Sequence, residues 1–501
     1  MEVERRVGVD LGLRGQHQAV VYDGVVRQGR AFAVKVSREG FDELLRRATE
    51  GSEGPVTFVM EPTGNAWVTL AAYVAAAGHR VKLAKPQKVS DLRKFYRKHT
   101  KTDVIDAEAL ARLPEVDGDG VRDLAVPTAK QMSLRRLVKR RERLCRQVAA
   151  QKQRVEALLK LVNPFVLDAV GEDKFSCAAV VFYRKCADAD VVVRRGCPTL
   201  RRFWKRHSQG KADEDRADKV YEACRKTSEL YRKLRQLGRL PFDYVDVQEE
   251  LSADLDLIET LQADAHRLEA RIKEMYLKVD PDRTLEQLRG VGTTIAASIE
   301  ALVGDVGRFP NGRHFVGYCG YCPRKRKSGQ TDPRLPITKA GHRLLKKYLY
   351  LAAEVARQWD PDFAAYYARR YAQGDHHNRI MIILAHKMAL RIYALLKRRE
   401  AAREANAEGR EPASTAYILR DADGREVTKK QARQLIVQKY ARAVVAPERE
   451  ARDRAKKGKP QRTVPGKNEW PSKDATTGTT AAAAKTEISH NSADRQASSA
   501  R

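Results

Sequence analysis

Four carboxylates and one serine are the residues of this sequence whose types and spacing suit chemistry. Asp10 stands in Val7-Gly-Val-Asp-Leu-Gly, at the middle or end of an apolar run where a charged side chain needs a reason. Glu61 closes Val56-Thr-Phe-Val-Met-Glu and is followed by Pro62-Thr-Gly. Asp103 and Asp106 are three residues apart, the spacing that places two side chains on one helix face. Hard divalent cations take oxygen ligands, and a pair of Mg²⁺ ions can clamp the attacking and leaving oxygens of a phosphodiester. Taken singly, each residue also has a plain role: Asp10 as a turn acceptor, Glu61 as an exposed strand end, Asp103 as a first-turn charge favoured by the helix dipole. The order strand Asp, strand Glu, helix Asp-x-x-Asp is what makes Asp10, Glu61, Asp103 and Asp106 candidate catalytic residues and Mg²⁺ ligands.

Ser328 follows four consecutive cations, Arg324, Lys325, Arg326 and Lys327, and precedes Gly329. A hydroxyl so placed can attack phosphorus, because neighbouring cations stabilise the charge that develops and hold the diester in line. On residue types alone, Ser328 reads equally as a loop serine. Upstream, Leu288-Arg-Gly-Val-Gly-Thr-Thr fits a helix-hairpin-helix in which Gly290 and Gly292 free successive N–H groups for phosphate; a plain glycine turn is the other reading. Cys319-x-x-Cys322 is a single pair without the partners that zinc requires. His376-His377 reads as an exposed turn.

These residues need a frame to position them. Val7 to Leu11, His17 to Tyr22 and Val25 to Val36 read as strands, with Asp23-Gly24 as a tight turn. Val56 to Met60 and Arg80 to Ala84 are two more, separated by a helix from Trp67 to Ala77 that stops at Gly78. A further helix covers Thr102 to Leu113, with Thr102 as its N-cap. From Leu134 the period changes. Seams at Leu134/Leu137, Leu144, Val148, Val155/Leu158 and Val162, and at Ile258/Leu261, Ala265/Leu268, Ile272/Met275 and Val279, suit a coiled-coil arm or two bundle helices. The expected fold is α/β plus all-α: a ribonuclease H-like domain over residues 1–129, a coiled-coil and helical region over 130–283 and a helical domain over 284–400. An extension with a hairpin near Tyr417 covers 401–445, and a basic tail of disordered composition covers 446–501.

The chain has 501 residues and a net charge of +31. Cation in that excess asks for a polyanion. Residues 1–129 hold 20 basic and 18 acidic residues, yet within them residues 80–101 carry +8; residues 130–160 and 313–347 carry +9 each. Most of the excess therefore lies in three clusters, whereas a merely soluble surface intersperses the signs. Candidate nucleic-acid contacts are Lys101, Arg135, Arg136, Arg140, Arg324, Lys325, Arg326, Lys327, Lys339 and Arg343, together with Gly290 and Gly292. No apolar stretch is long enough to span a membrane, the N-terminus has no export signal, and seven scattered cysteines fit a reducing compartment. A cytoplasmic, nucleoid-associated protein is expected.

The combination resembles the transposases of the insertion-sequence 110 family over roughly residues 5 to 400. Val-Gly-Val-Asp10, Glu61-Pro-Thr-Gly and Lys101-Thr-Asp103-Val-Ile-Asp106-Ala are similar to that family's RuvC-like DEDD domain. Gly290-Val-Gly292, Pro323, Ser328-Gly329 and Ile337-Thr-Lys339-x-Gly341 are similar to its transposase domain with the catalytic serine. The resemblance implies a site-specific DNA recombinase that excises and inserts an insertion sequence through a covalent serine–DNA intermediate, with Mg²⁺ held by Asp10, Glu61, Asp103 and Asp106. It also implies an element-encoded noncoding guide RNA (a bridge RNA) that pairs with donor and target DNA, and a homodimer or homotetramer sharing a composite centre. The alternative is a Mg²⁺-dependent hydrolytic nuclease of the Holliday-junction-resolving type. Ser328 is followed by Gly-Gln where many relatives have Gly-Gly, and the tail beyond 400 is longer than the family pattern.

Overall fold

The computed structural model describes residues 4–96, 100–208, 214–323, 337–338 and 340–444, all within one compact unit. The first domain is built on strands β1 (Arg5–Asp10), β2 (His17–Asp23), β3 (Val26–Val34), β4 (Thr57–Met60), β5 (Arg80–Ala84) and β6 (Val121–Asp123). Its helices are α1 (Arg38–Thr49), α2 (Ala66–Ala76), α3 (Pro86–Tyr96) and α4 (Asp103–Val116). The sheet order is β3-β2-β1-β4-β5-β6. β1, β2 and β3 form an antiparallel meander, β1, β4 and β5 run parallel, and β6 closes the edge antiparallel to β5.

Strand alternation divides this sheet between two cores. Val7, Val9, Phe58 and Met60 face α1 and α2, where they meet Phe41, Leu44, Trp67 and Leu70. Val20, Tyr22 and Val59 face α3 and α4, against Leu92, Ala107, Leu110 and Ala111. Gly8 is what lets α4 come this close: a Cβ there would lie 2.0 Å from the Ala107 carbonyl oxygen and 2.5 Å from the Ala111 nitrogen.

Helices α1 and α3 and strand β6 go beyond what the sequence suggests. α1 buries only Phe41, Leu44 and Ala48 among many charges, and its start is fixed by Ser37, whose Oγ accepts from the Gly40 N–H at 3.1 Å. Pro86, read as the end of a strand, is also the first residue of α3, a position that proline suits. β6 has three residues, too few to show a period.

α5 (Ala129–Val162) and α11 (Tyr244–Val279) are the two longest helices among the described residues. They run antiparallel, joined by ion pairs from Arg141 to Glu269 and from Arg154 to Asp254 and Glu250. Between them in sequence lie α6 (Val166–Ala169), α7 (Cys177–Lys185), α8 (Ala189–Arg195), α9 (Cys197–His207) and α10 (Glu214–Gln236). The buried face of α5 passes through Leu134, Val138, Val155, Leu159 and Val162, and the expected Leu137, Leu144, Val148 and Leu158 pack beside it, partly buried. The helix has two clients besides α11: Leu134 and Val138 enter the core of the last helices, whereas Val155, Leu159 and Val162 enter the core of α6 to α10.

The last domain comprises α12 (Thr293–Val303), α13 (Gly312–Cys319), α14 (Arg343–Trp359), α15 (Pro361–Ala372), α16 (His377–Ala407) and α17 (Lys429–Lys439). A buried polar network ties it to α11. Arg399 pairs with Glu300 at 2.6 Å and with Asp280 at 3.2 Å, and Asp280 also accepts from the Tyr276 hydroxyl and the Thr284 N–H. Removing one member of such a network strands a buried charge at a cost of about 3–5 kcal/mol. The expected hairpin near Tyr417 reduces to one bridge, Arg420 to Glu426. His376 caps α16, while His377 is half-buried with Nδ1 2.9 Å from the Tyr367 hydroxyl, so the pair is a helix start rather than a free turn.

Candidate functional site

Asp10 ends β1, and Glu61 follows the last residue of β4. The parallel register pairs Val9 with Met60, so the next residues along, Asp10 and Glu61, are neighbours at the same end of the sheet. Alternation puts both on the Gly8 and Val59 side, the face that α4 covers. α4 begins at Asp103 because Thr102 caps it, its Oγ1 accepting from the Ile105 N–H at 3.3 Å. Asp103 and Asp106 therefore sit in the first turn, where the helix dipole favours negative charge.

The four carboxylates act on one another. Burial and the charges of Asp106 and Asp103 push Asp10 up to about 6, against a hydrogen bond from the Leu11 N–H and the charge of Lys101. Glu61 is raised by burial and by Asp10 and Asp106, and is opposed by Lys101 and Arg93. Arg93 Nη1 lies 3.3 Å from Asp106 Oδ1. Among the described residues, no three potential ligands converge tightly enough to enclose an ion. The donor set nevertheless fits a hard divalent cation: it is all oxygen, and its mutual repulsion is what such a cation would relieve. Arg93 was not singled out by the sequence beyond its share in a basic stretch; its pairing depends on α3 crossing α4.

The second candidate centre is described only at its base. Pro323 and Ile337 form an antiparallel bridge, and the Thr338 N–H donates to the Cys322 carbonyl at 3.0 Å. Lys346 Nζ donates to the Thr338 carbonyl at 3.1 Å. Gly320 and Gly341, both with positive φ, lie back to back: a Cβ on Gly341 would fall 2.5 Å from the Gly320 Cα. Ser328, Arg324, Lys325, Arg326, Lys327 and Lys339 lie outside the described residues.

Of the other candidate contacts, Lys101 is exposed beside the carboxylates, and Arg343 is exposed in the first turn of α14. On α5, Arg136, Arg140 and Arg143 follow one exposed stripe and make no ion pair among the described residues; Arg135 is half-buried beside them. Gly290 and Gly292 differ from the expected hairpin. A single 3₁₀ turn, Thr284–Gln287, precedes them in place of a full helix. Gly290 is spent on packing, since a Cβ there would meet the Ala352 carbonyl of α14 at 2.1 Å, while Gly292 is exposed as the N-cap of α12.

Two family models match this chain. One, described as a transposase and labelled for the DEDD domain of IS110, covers residues 7–164; the other, described as the transposase IS116/IS110/IS902 family, covers residues 282–368. The chain is a transposase. It carries both transposase domains of the IS110 family. The uncharacterized 44.8 kDa protein of insertion element IS116 from Streptomyces clavuligerus is 24% identical over 78% of this chain and 94% of its own length. The uncharacterized 42 kDa protein of insertion element IS900 from Mycobacterium paratuberculosis is 23% identical over 78% of this chain and 95% of its own. The transposase for insertion sequence element IS1111A from Coxiella burnetii is 28% identical over 27% of this chain and 38% of its own.

Proposed function

We propose that this transposase is an RNA-guided site-specific DNA recombinase that excises and inserts an insertion sequence through a covalent bond between Ser328 and DNA. The observation that supports this most is the in-register pair Asp10 and Glu61 under the first turn of α4, which brings four carboxylates to one end of the six-stranded mixed sheet. Asp10, Glu61, Asp103 and Asp106 would hold Mg²⁺, which when bound supplies positive charge for the oxygens of a reacting phosphodiester. Lys101 offsets part of the negative charge that a DNA strand meets on approach. The Ser328 hydroxyl oxygen forms a bond to phosphorus while one deoxyribose oxygen leaves and takes up a proton. A deoxyribose hydroxyl of the new strand then displaces the serine, so the diester is conserved without an external energy source. Arg324, Lys325, Arg326 and Lys327 bind the non-bridging oxygens.

A structured noncoding guide RNA supplies the sequence choice in this reading, held through shape and phosphate by α5 and the basic stretch ending at Lys101. Donor and target DNA contact Arg343 and the serine segment, and subunits assemble as dimers or tetramers. The test incubates the protein with its RNA and labelled DNA and looks for a protein–DNA adduct on a denaturing gel. The adduct is expected from the wild type and not from Ser328→Ala. An adduct from Ser328→Ala overturns the serine assignment, and cleavage without any adduct favours the hydrolytic nuclease. Asp103→Ala and Asp106→Ala are expected to lose strand exchange.

A further inference from the structure

Beside the carboxylates, α3 ends in two aromatic side chains that the protein leaves in solvent. Phe95 is 81% exposed and Tyr96 43%. Their rings meet edge to face with centroids 5.2 Å apart. Tyr96 is nevertheless held in place. The Arg112 guanidinium lies 5.0 Å from its ring centroid and 5.2 Å from that of Tyr22, and Arg112 Nε donates to the Tyr22 hydroxyl at 3.2 Å. Tyr22 is buried on β2, so Arg112 is a fixed wedge against which one face of Tyr96 rests.

Next to this ring is a cavity lined by Arg93, Tyr96, Ile105, Glu108, Ala109 and Arg112. Its one carboxylate, Glu108, is engaged by Arg27. Ala109 and Arg112 stand three and six residues beyond Asp106 on α4, roughly 4.5 and 9 Å along the axis. A stacked strand rises about 3.4 Å per nucleotide, so the cavity is within about three nucleotides of a phosphate at Asp106. An apolar protein partner asks for a contiguous apolar patch. Two aromatics among cations, with Lys94 before them and Arg97 and Lys98 following in sequence, instead match a ligand with a flat ring and a negative backbone.

We propose that Tyr96, backed by Arg112 and flanked by Phe95, is a stacking site for an unpaired nucleobase of the nucleic-acid strand held at the carboxylates. This rests on the reading of those carboxylates as a nucleic-acid-processing centre. Base–aromatic stacking contributes about 1–3 kcal/mol per base and tolerates any sequence.

The experiment uses the full chain and single-stranded oligodeoxynucleotide and oligoribonucleotide probes carrying 2-aminopurine, with a duplex of the same sequence as reference. Wild type and Tyr96→Phe are expected to quench the fluorophore. Tyr96→Ala is expected to lose the quenching and about tenfold of the single-strand affinity, with the salt slope and duplex affinity unchanged, because an aromatic ring neutralises no phosphate. Stronger quenching of the deoxy probe assigns the site to a DNA strand, and of the ribo probe to RNA; either supports it. Undiminished single-strand binding by the Phe95→Ala, Tyr96→Ala double variant overturns the proposal. So does a change in that variant's sedimentation with binding intact, which assigns the aromatics to a contact between copies. Wild type that binds duplex but no single strand also overturns it, while the adduct assay separately decides the recombinase reading.

Discussion

Asp10 bears the clearest cost of assembling the carboxylates. Its folded pKa of about 6 lies above the ordinary 3.8, so between those values the folded chain holds a proton that the unfolded chain has released. Stability conferred at low pH is therefore lost as the pH rises through 6, and the whole penalty applies above it. Asp10→Asn is expected to raise the melting temperature of the metal-free protein by a few degrees at pH 7.5 and to leave it unchanged below about pH 4. Added Mg²⁺ should raise the melting temperature of the wild type more than that of the variant. A thermal unfolding series over pH, with and without Mg²⁺, checks both; equal pH profiles for the two proteins would remove Asp10 from the cluster. Arg93 belongs to the same balance, since its guanidinium, 3.3 Å from Asp106 Oδ1, offsets part of the negative charge gathered there.

At the scale of elements, the site depends on how closely α4 lies on β1. Gly8→Ala places a methyl group against the Ala107 carbonyl and the Ala111 nitrogen, both backbone atoms that move only if the helix moves. The variant is expected to lose about 1–3 kcal/mol in denaturant unfolding and strand exchange with it, whereas Gly54→Ala, with nothing near it and no positive φ to lose, should keep strand exchange. Strand ends and a capped Asp-x-x-Asp helix are local signals that a sequence carries, and Thr102 caps α4 as its place before Asp103 predicts. Gly8 as the contact point is not such a signal, since it depends on Ala107 and Ala111, about a hundred residues away. Gly290 has a packing role hidden for the same reason: that a Cβ there would meet the Ala352 carbonyl of α14 depends on a residue about sixty positions away. The α5 seam is wider than its heptad pattern, taking in Val138 and Leu159 beside Leu137 and Leu158, because such a pattern assumes one partner and α5 has three.

Across the whole molecule, the +31 charge is concentrated rather than spread. The stripe Arg136, Arg140 and Arg143 on α5, without an ion pair among the described residues, is where phosphate contact is expected: substituting all three by Gln should flatten the slope of log K against log salt by about two to three units. Ending the chain at Val444 removes 12 basic and 7 acidic residues with interspersed signs and is expected to flatten it by less; titrations at several salt concentrations compare the two. The bridge between Pro323 and Ile337 joins positions fourteen apart in sequence and is braced by Gly320 against Gly341. It works as a clasp: Thr338 is tied to Cys322 on one side and to Lys346 of α14 on the other, so the end of α13 and the start of α14 are held in one fixed relation.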